Sequence, residues 1–184
     1  MKKFSLLFLT GLLLTLSGCG TPTYTPTPAT TSLYENKELW FSVSFPDTWN
    51  FKENTYGSKV IFFSPESTDK IKANVGISTQ TLSTGYELEK FFSTNKKIFT
   101  SSKTDFSILS EKDTTTEKTP AKNRTIQFTQ GSYKIKQEQV AFIINNTAYT
   151  ITYTATKDMF NAYLKQAEYI MGTFSFSSPT PTSK

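Results

Sequence analysis

"WFSVSFPDTW", Trp40 to Trp49, alternates strictly: Phe41, Val43 and Phe45 fall on one side of an extended chain, Ser42 and Ser44 on the other. With Leu39 in front, the pattern predicts a strand over Leu39–Phe45 that buries one face. Pro46 and Asp47 then turn the chain, because proline offers no N–H to a ladder and aspartate suits a turn. A strand with one buried face needs neighbouring strands and a covering layer. The rest of the chain supplies both.

Downstream, Lys59–Ser64 and Lys72–Gln80 read as strands separated by the turn-rich Ser64–Asp69, and Asp105–Lys112, Asn123–Gln130 and Tyr133–Ile144 read as three more. In "TAYTITYTAT" (Thr147–Thr156), Tyr149, Ile151, Tyr153 and Ala155 alternate with Thr150, Thr152 and Thr154. Asn145-Asn146 makes a tight turn before it, since asparagine tolerates positive φ. Two helices interrupt the strands. Leu88, Phe91, Phe92 and Phe99 lie at i, i+3, i+4 and i+11, with Lys90, Lys96 and Lys97 left for water, and Thr84 and Glu87 have capping-box spacing. Lys157–Met171 aligns Phe160, Tyr163, Leu164, Ala167 and Met171 on one stripe, with Thr156 as its cap. Strands, helix, strands, helix, with hairpin-length connections, predict an α+β domain: a central antiparallel sheet flanked by helices. A domain of about 145 residues buries enough surface to be stable without disulfides.

The N-terminus reads as an address. Lys2 and Lys3 precede an apolar run, Phe4–Leu16, of thirteen residues. A membrane-spanning helix needs about twenty, so residues 1–18 read as a cleaved signal. Leu16-Ser17-Gly18-Cys19 resembles a bacterial lipobox, in which the cysteine sulfur is acylated and becomes the first mature residue. Cys19 is the chain's only cysteine, and lipidation would turn it from a reactive thiol into an anchor. Residues 19–32, rich in threonine and proline, read as an extended tether with a reach of about 35–40 Å at about 3.1 Å per residue. The folded domain is expected over Leu33–Ser177, and residues 178–184 ("SPTPTSK") as a disordered tail.

Hydrophobic residues make up 36% of the chain and aromatics 15%, too apolar for a disordered protein. The net charge of +5 falls once Lys2 and Lys3 leave with the signal, and no basic cluster points to nucleic acid. There is no histidine, so neither a Ser-His-Asp nor a Cys-His arrangement can be built. Ser67-x-x-Lys70 and Ser93-x-x-Lys96 match a serine–lysine spacing at the frequency chance gives, and the companion Lys-Thr-Gly is missing, Lys118-Thr119-Pro120 being nearest. No glycine-rich phosphate loop occurs. The expectation is a protein without catalysis, metal or cofactor.

"WFSVSFPDTW" also resembles the opening strand of the PsbP-like (PsbP/Mog1) fold, whose members often begin aromatic-x-aliphatic-x-aromatic-Pro-x-x-Trp. The helix that runs through Ile170 into "GTFSF" (Gly172–Phe176) is similar to that family's closing helix and short apolar strand. The resemblance spans Leu33 to Ser177 and implies an α/β/α sandwich. It implies docking onto a larger partner in place of chemistry. Photosystem members can hold a metal through histidine, which this chain lacks.

Together these readings predict a membrane-anchored, extracytoplasmic lipoprotein in the cell membrane, or the outer membrane where the host has one. It is expected to act as a non-catalytic binding or assembly module docked on an envelope protein, or alternatively as a small-ligand or cell-wall-glycan binder. Trp40, Trp49 and the ladder Thr150, Thr152 and Thr154 are the candidate binding surface. A helix–sheet pocket with aromatic walls and a few convergent polar groups would favour the ligand binder, and a flat apolar patch with a polar rim would favour docking. The anchor has a direct test. Cys19→Ser should move the protein from the membrane to the soluble fraction and abolish the lipid-dependent mass shift, whereas unchanged membrane retention contradicts lipidation.

Overall fold

The computed structural model describes residues 30–65 and 71–177, so Cys19, the signal, most of the tether, the tail and the Ser67/Lys70 pair lie outside the described residues. The decisive strand forms as β2 (Phe41–Pro46), with Phe41, Val43 and Phe45 buried as the alternation requires. Leu39 and Trp40 are not part of it. They close the turn from β1 (Thr31–Asn36), where the Leu39 N–H bonds Asn36 Oδ1 at 2.8 Å and Trp40 takes a φ of 55°. That left-handed conformation costs a tryptophan about 1–2 kcal/mol, and a bond from the Ser177 N–H to the Trp40 carbonyl at 2.8 Å helps to hold it. β1 itself leaves no hydrophobic alternation to read: Tyr34 is its one buried residue.

Two sheets form in place of the single one expected. β1, β2 and the two-residue β10 (Ser175–Phe176) make a small sheet in the order β1-β2-β10. The large one contains β3 (Asn50–Thr55), β4 (Ser58–Phe63), β5 (Asn74–Thr81), β6 (Thr104–Thr116), β7 (Thr119–Gln130), β8 (Tyr133–Ile144) and β9 (Thr147–Thr156). Its order is β3-β4-β5-β9-β8-β7-β6, and every pairing is antiparallel. Helix α1 (Leu88–Ser102) covers one face, and α2 (Phe160–Gly172) with the small sheet covers the other. Among the described residues no helix is long and apolar enough to cross a membrane.

Strand limits follow turn chemistry. Asn145 and Asn146, with φ of 49° and 57°, make the tight β8–β9 turn that asparagine pairs predict. Glu117 and Lys118 adopt the same left-handed pair, at 48° and 66°, without glycine or asparagine. β6 and β7 therefore run to Thr116 and from Thr119, well past the limits at Lys112 and Asn123 that the local pattern suggested. Neither helix uses its predicted cap. α1 starts after Glu87, so Thr84 lies a turn too early, and α2 starts after Met159, so Thr156 does too; neither N-cap residue makes a side-chain capping bond.

The main core lies between the large sheet and the α2 layer. Val75 and Ile77 of β5 face Tyr153 and Ile151 of β9 across the ladder, and all four are buried. Phe62 of β4 is fully buried and meets Phe45 at a ring distance of 4.9 Å and Tyr34 at 5.7 Å, so it joins the two sheets. Phe62→Ala should cost about 3–5 kcal/mol, read as a lower urea midpoint at unchanged slope. A loss under about 1 kcal/mol would mean that the sheets are not packed through this ring.

Candidate functional site

The opposite face of the large sheet is only half covered. At one end Phe91 and Phe92 of α1 bury against Leu82, Ala141 and Ala148; at the other, Ile126, Phe128 and Ile135 form a separate apolar cluster, and Phe99 stacks on Phe106 there. Between the clusters the apolar stripe of α1 is broken. Asn95 stands at i+7 from Leu88, where a helix packed along its whole length would carry another apolar residue. A groove opens beneath it. Its part under the helix holds about 210 Å³ and continues into a wider, more open part of about 450 Å³.

Strand register builds the floor. Thr150, Thr152 and Thr154 point to this face because their neighbours in β9 point to the core, as period-two alternation demands. Beside them, β5 contributes Ser78, Gly76 and Asn74, and β8 contributes Ala141, Gln139 and Gln137. The amides form a short chain: Gln139 donates to Gln137 Oε1 at 3.2 Å, and Gln137 donates to Thr154 Oγ1 at 3.0 Å. At Gly76 a Cβ would come within 3.2 Å of Ser58 Oγ, so glycine keeps the floor low there. Tyr56, 88% exposed, and Phe63 stand at the open end.

Arg124 of β7, the chain's only arginine, lines the covered part and is 1% exposed. Its Nε donates to Glu111 Oε1 at 2.8 Å and its Nη2 to the Phe92 carbonyl at 2.9 Å, while its carbon Cζ lies 3.8 Å from the Phe92 ring centre. Nη1 is buried and has no hydrogen-bond partner among the described residues. Burial lowers the Arg124 pKa, and the charge and hydrogen bond of Glu111 work against that fall. Burial raises the pKa of Glu111, but hydrogen bonds and charges from Lys96 and Arg124 outweigh it and hold the carboxyl below the ordinary range. Lys96 reaches Glu111 Oε2 at 3.1 Å, so one carboxylate ties α1 to β6 and β7 together. Lys122 adds a second tie, to Glu89 of α1 at 2.6 Å and Asp113 of β6 at 2.8 Å; its hydrogen bonds to Asp113 and Glu89 raise its pKa.

The candidate residues therefore separate. Thr150, Thr152 and Thr154 come together on the groove floor. Trp49 is 2% exposed on the other side of the sheet, where its indole N–H bonds Gln166 Oε1 and its ring meets Tyr163 edge-on at 6.1 Å. Trp40, 44% exposed, immediately precedes β2, the central strand of the small sheet, and lines neither part of the groove. Ser93 and Lys96 do not pair as a dyad: Ser93 bonds the Lys90 carbonyl and Lys96 is held by Glu111. Arg124, Gln137 and Gln139 are the groove residues that sequence reasoning missed. The signals were present, as a polar interruption between Ile135 and Ala141 in β8 and as the gap at Asn95 in α1.

The sequence matches the DcrB family model over residues 42–173. No curated protein matches it. Among solved structures, cyanobacterial PsbP (CyanoP) from Synechocystis is similar with a TM-score of 0.63 and 10% identity, covering 88% of this chain and 99% of that one. LpqN of Mycobacterium tuberculosis, described as involved in cell envelope biogenesis, gives 0.59 and 12%, with 86% and 90% covered. The Ran-binding protein Mog1p of Saccharomyces cerevisiae gives 0.55 and 7%, with 80% and 95% covered. At these identities the likeness establishes the fold: the α+β sandwich is of the PsbP/Mog1 type.

Glu111 makes the groove wall acid-sensitive. Its folded-state pKa is depressed, so its ionised form contributes stability above the unfolded value of about 4.3 and loses that contribution as pH falls through the lower folded value. Glu111→Gln should cost about 2 kcal/mol at neutral pH, less than the ~3–5 kcal/mol of a fully buried broken pair because Glu111 is partly exposed. The variant should also lose stability less steeply than the parent below about pH 4.3. An unchanged acid limb in urea titrations would contradict this role for the pair.

Proposed function

The chain belongs to the DcrB family, and from that membership and the groove we propose that it is a non-catalytic ligand-binding lipoprotein of the cell envelope. The observation that carries the reading is the concave surface between α1 and the sheet, with Thr150, Thr152 and Thr154 on its floor and aromatic side chains on its walls. Small-ligand sites are concave, largely formed in advance, and place a few polar groups against apolar walls. Its larger part, at about 450 Å³, falls within the roughly 300–1,000 Å³ of such sites. The envelope assignment draws on the signal and lipobox ahead of Cys19, and on the likeness to a mycobacterial protein described as acting in envelope biogenesis. An acylated Cys19 with its tether would hold the groove off the membrane surface. A second reading, docking on an envelope protein, draws on the exposed indole of Trp40.

Thr152 lines both parts of the groove, which makes it the place to obstruct. Phenylalanine is well accommodated in strands, so Thr152→Phe should fill the groove and leave the fold intact. Titrating the wild-type protein with small-molecule extracts of bacterial envelopes should shift the methyl signals of Thr150, Thr152 and Thr154, and Thr152→Phe should abolish binding. Shifts centred on Trp40, or binding untouched by Thr152→Phe, would remove the groove from the function.

A further inference from the structure

We propose that the groove takes a short saccharide carrying a carboxylate, with the acid group against Arg124 and the sugar rings over the threonine–glutamine floor. The inference rests on the groove being the working site, and it names the chemistry of what enters. Among the described residues, Arg124 is the one charged side chain lining either part of the groove. No aspartate or glutamate shares that lining, so an anion entering meets no opposing charge there.

The guanidinium is also incompletely used. Nε and Nη2 form the edge that faces β6 and α1, and both are committed, to Glu111 and to the Phe92 carbonyl. Nη1, the remaining nitrogen, is buried and has no hydrogen-bond partner among the described residues. Gln139 of β8 is the direct ladder partner of Arg124 and itself lines both parts of the groove. A buried N–H without an acceptor is costly, more so on a charged group, so a site that keeps one gains when an acceptor arrives. Glu111 does not neutralise the site, since Lys96 shares that carboxylate and the trio retains one positive charge. An arginine already positioned by two bonds and a ring loses little freedom on gripping a carboxylate.

The remainder of the lining selects the body of the ligand. Thr152, Thr154, Gln137 and Asn74 offer neutral donors and acceptors, suited to hydroxyl groups, and Phe99 and Tyr56 offer apolar faces for ring C–H groups. From Thr150 to Thr154 the floor extends about 14 Å at about 3.4 Å per residue, room for a short run of rings. A peptide fits less well, because the floor is a sheet face of side chains and offers no free backbone edge for strand addition.

Digalacturonate and digalactose share one skeleton and differ in the carboxylates, so wild-type protein alone can carry the test by calorimetry and methyl NMR. Digalacturonate should bind in the groove at least about tenfold more tightly than digalactose, the preference should shrink with added salt, and Thr152→Phe should abolish both. Arg124→Gln should erase the preference while leaving the weaker neutral binding in place. Equal binding of the two sugars in the groove overturns the carboxylate inference and leaves the groove reading standing. Groove binding of tetra-aspartate with neither sugar bound overturns it in favour of a peptide. Binding of none of the three at Thr150–Thr154 overturns the inference, and silence of the same signals towards envelope extracts is what separately overturns the groove reading.

Discussion

The pairing of β5 with β9 is the constraint on which the rest depends. It joins Asn74–Thr81 to Thr147–Thr154 in eight consecutive register pairs, across an intervening stretch that contains α1 and three strands. Once the register is set, period-two geometry fixes both faces together. Val75, Ile77, Ile151 and Tyr153 must face α2 and the small sheet, and Asn74, Gly76, Ser78 and the three threonines must face α1. A slip of one residue would bury the polar row and expose the apolar one, so the hydrophobic core enforces the alignment of the groove floor. Core and site are two sides of one ladder.

The helices treat those faces differently. α2 presents Phe160, Ala167 and Ile170 to the core, all buried. α1 fully buries only Phe91 and Phe92, with Leu88 and Phe99 partly packed at its two ends, and its other ties to the sheet are polar: Lys96 through Glu111, Glu89 through Lys122, and the Phe92 carbonyl through Arg124. Ion pairs at partly exposed positions add little stability apiece. Their service here is positional, because they hold the middle of the helix, at Asn95, above a polar floor that gives it no hydrophobic grip there. A fully apolar stripe on α1 would have closed the groove.

Much of the fold was legible because its signals are local. Alternation identified the Phe41–Phe45 strand and the threonine ladder, and the spacing of Phe160, Tyr163, Leu164 and Ala167 identified α2. The misses have physical causes. β1 and β3 are edge strands whose residues are mostly exposed, so they lack a hydrophobic pattern. The Glu117-Lys118 turn takes left-handed angles that its residues do not advertise, imposed by the twist of two long paired strands. The site was harder than the fold. Thr150, Thr152 and Thr154 were visible as a set, but Arg124, Gln137 and Gln139 join them only through pairing across three strands, and nothing in one strand announces its neighbour. Trp49 misled for the opposite reason: an indole suited to a ligand platform is equally suited to a core, and Trp49 is in the core.

The central claim is that this sheet face, and not the Trp40 surface, meets the ligand. A crystal structure of the protein isolated from its own cells, together with whatever small molecule co-purifies, tests it most directly. The account predicts density between Asn95 of α1 and Thr152 of β9, in contact with Arg124. Density seated on Trp40, with the groove occupied by water alone, would contradict it.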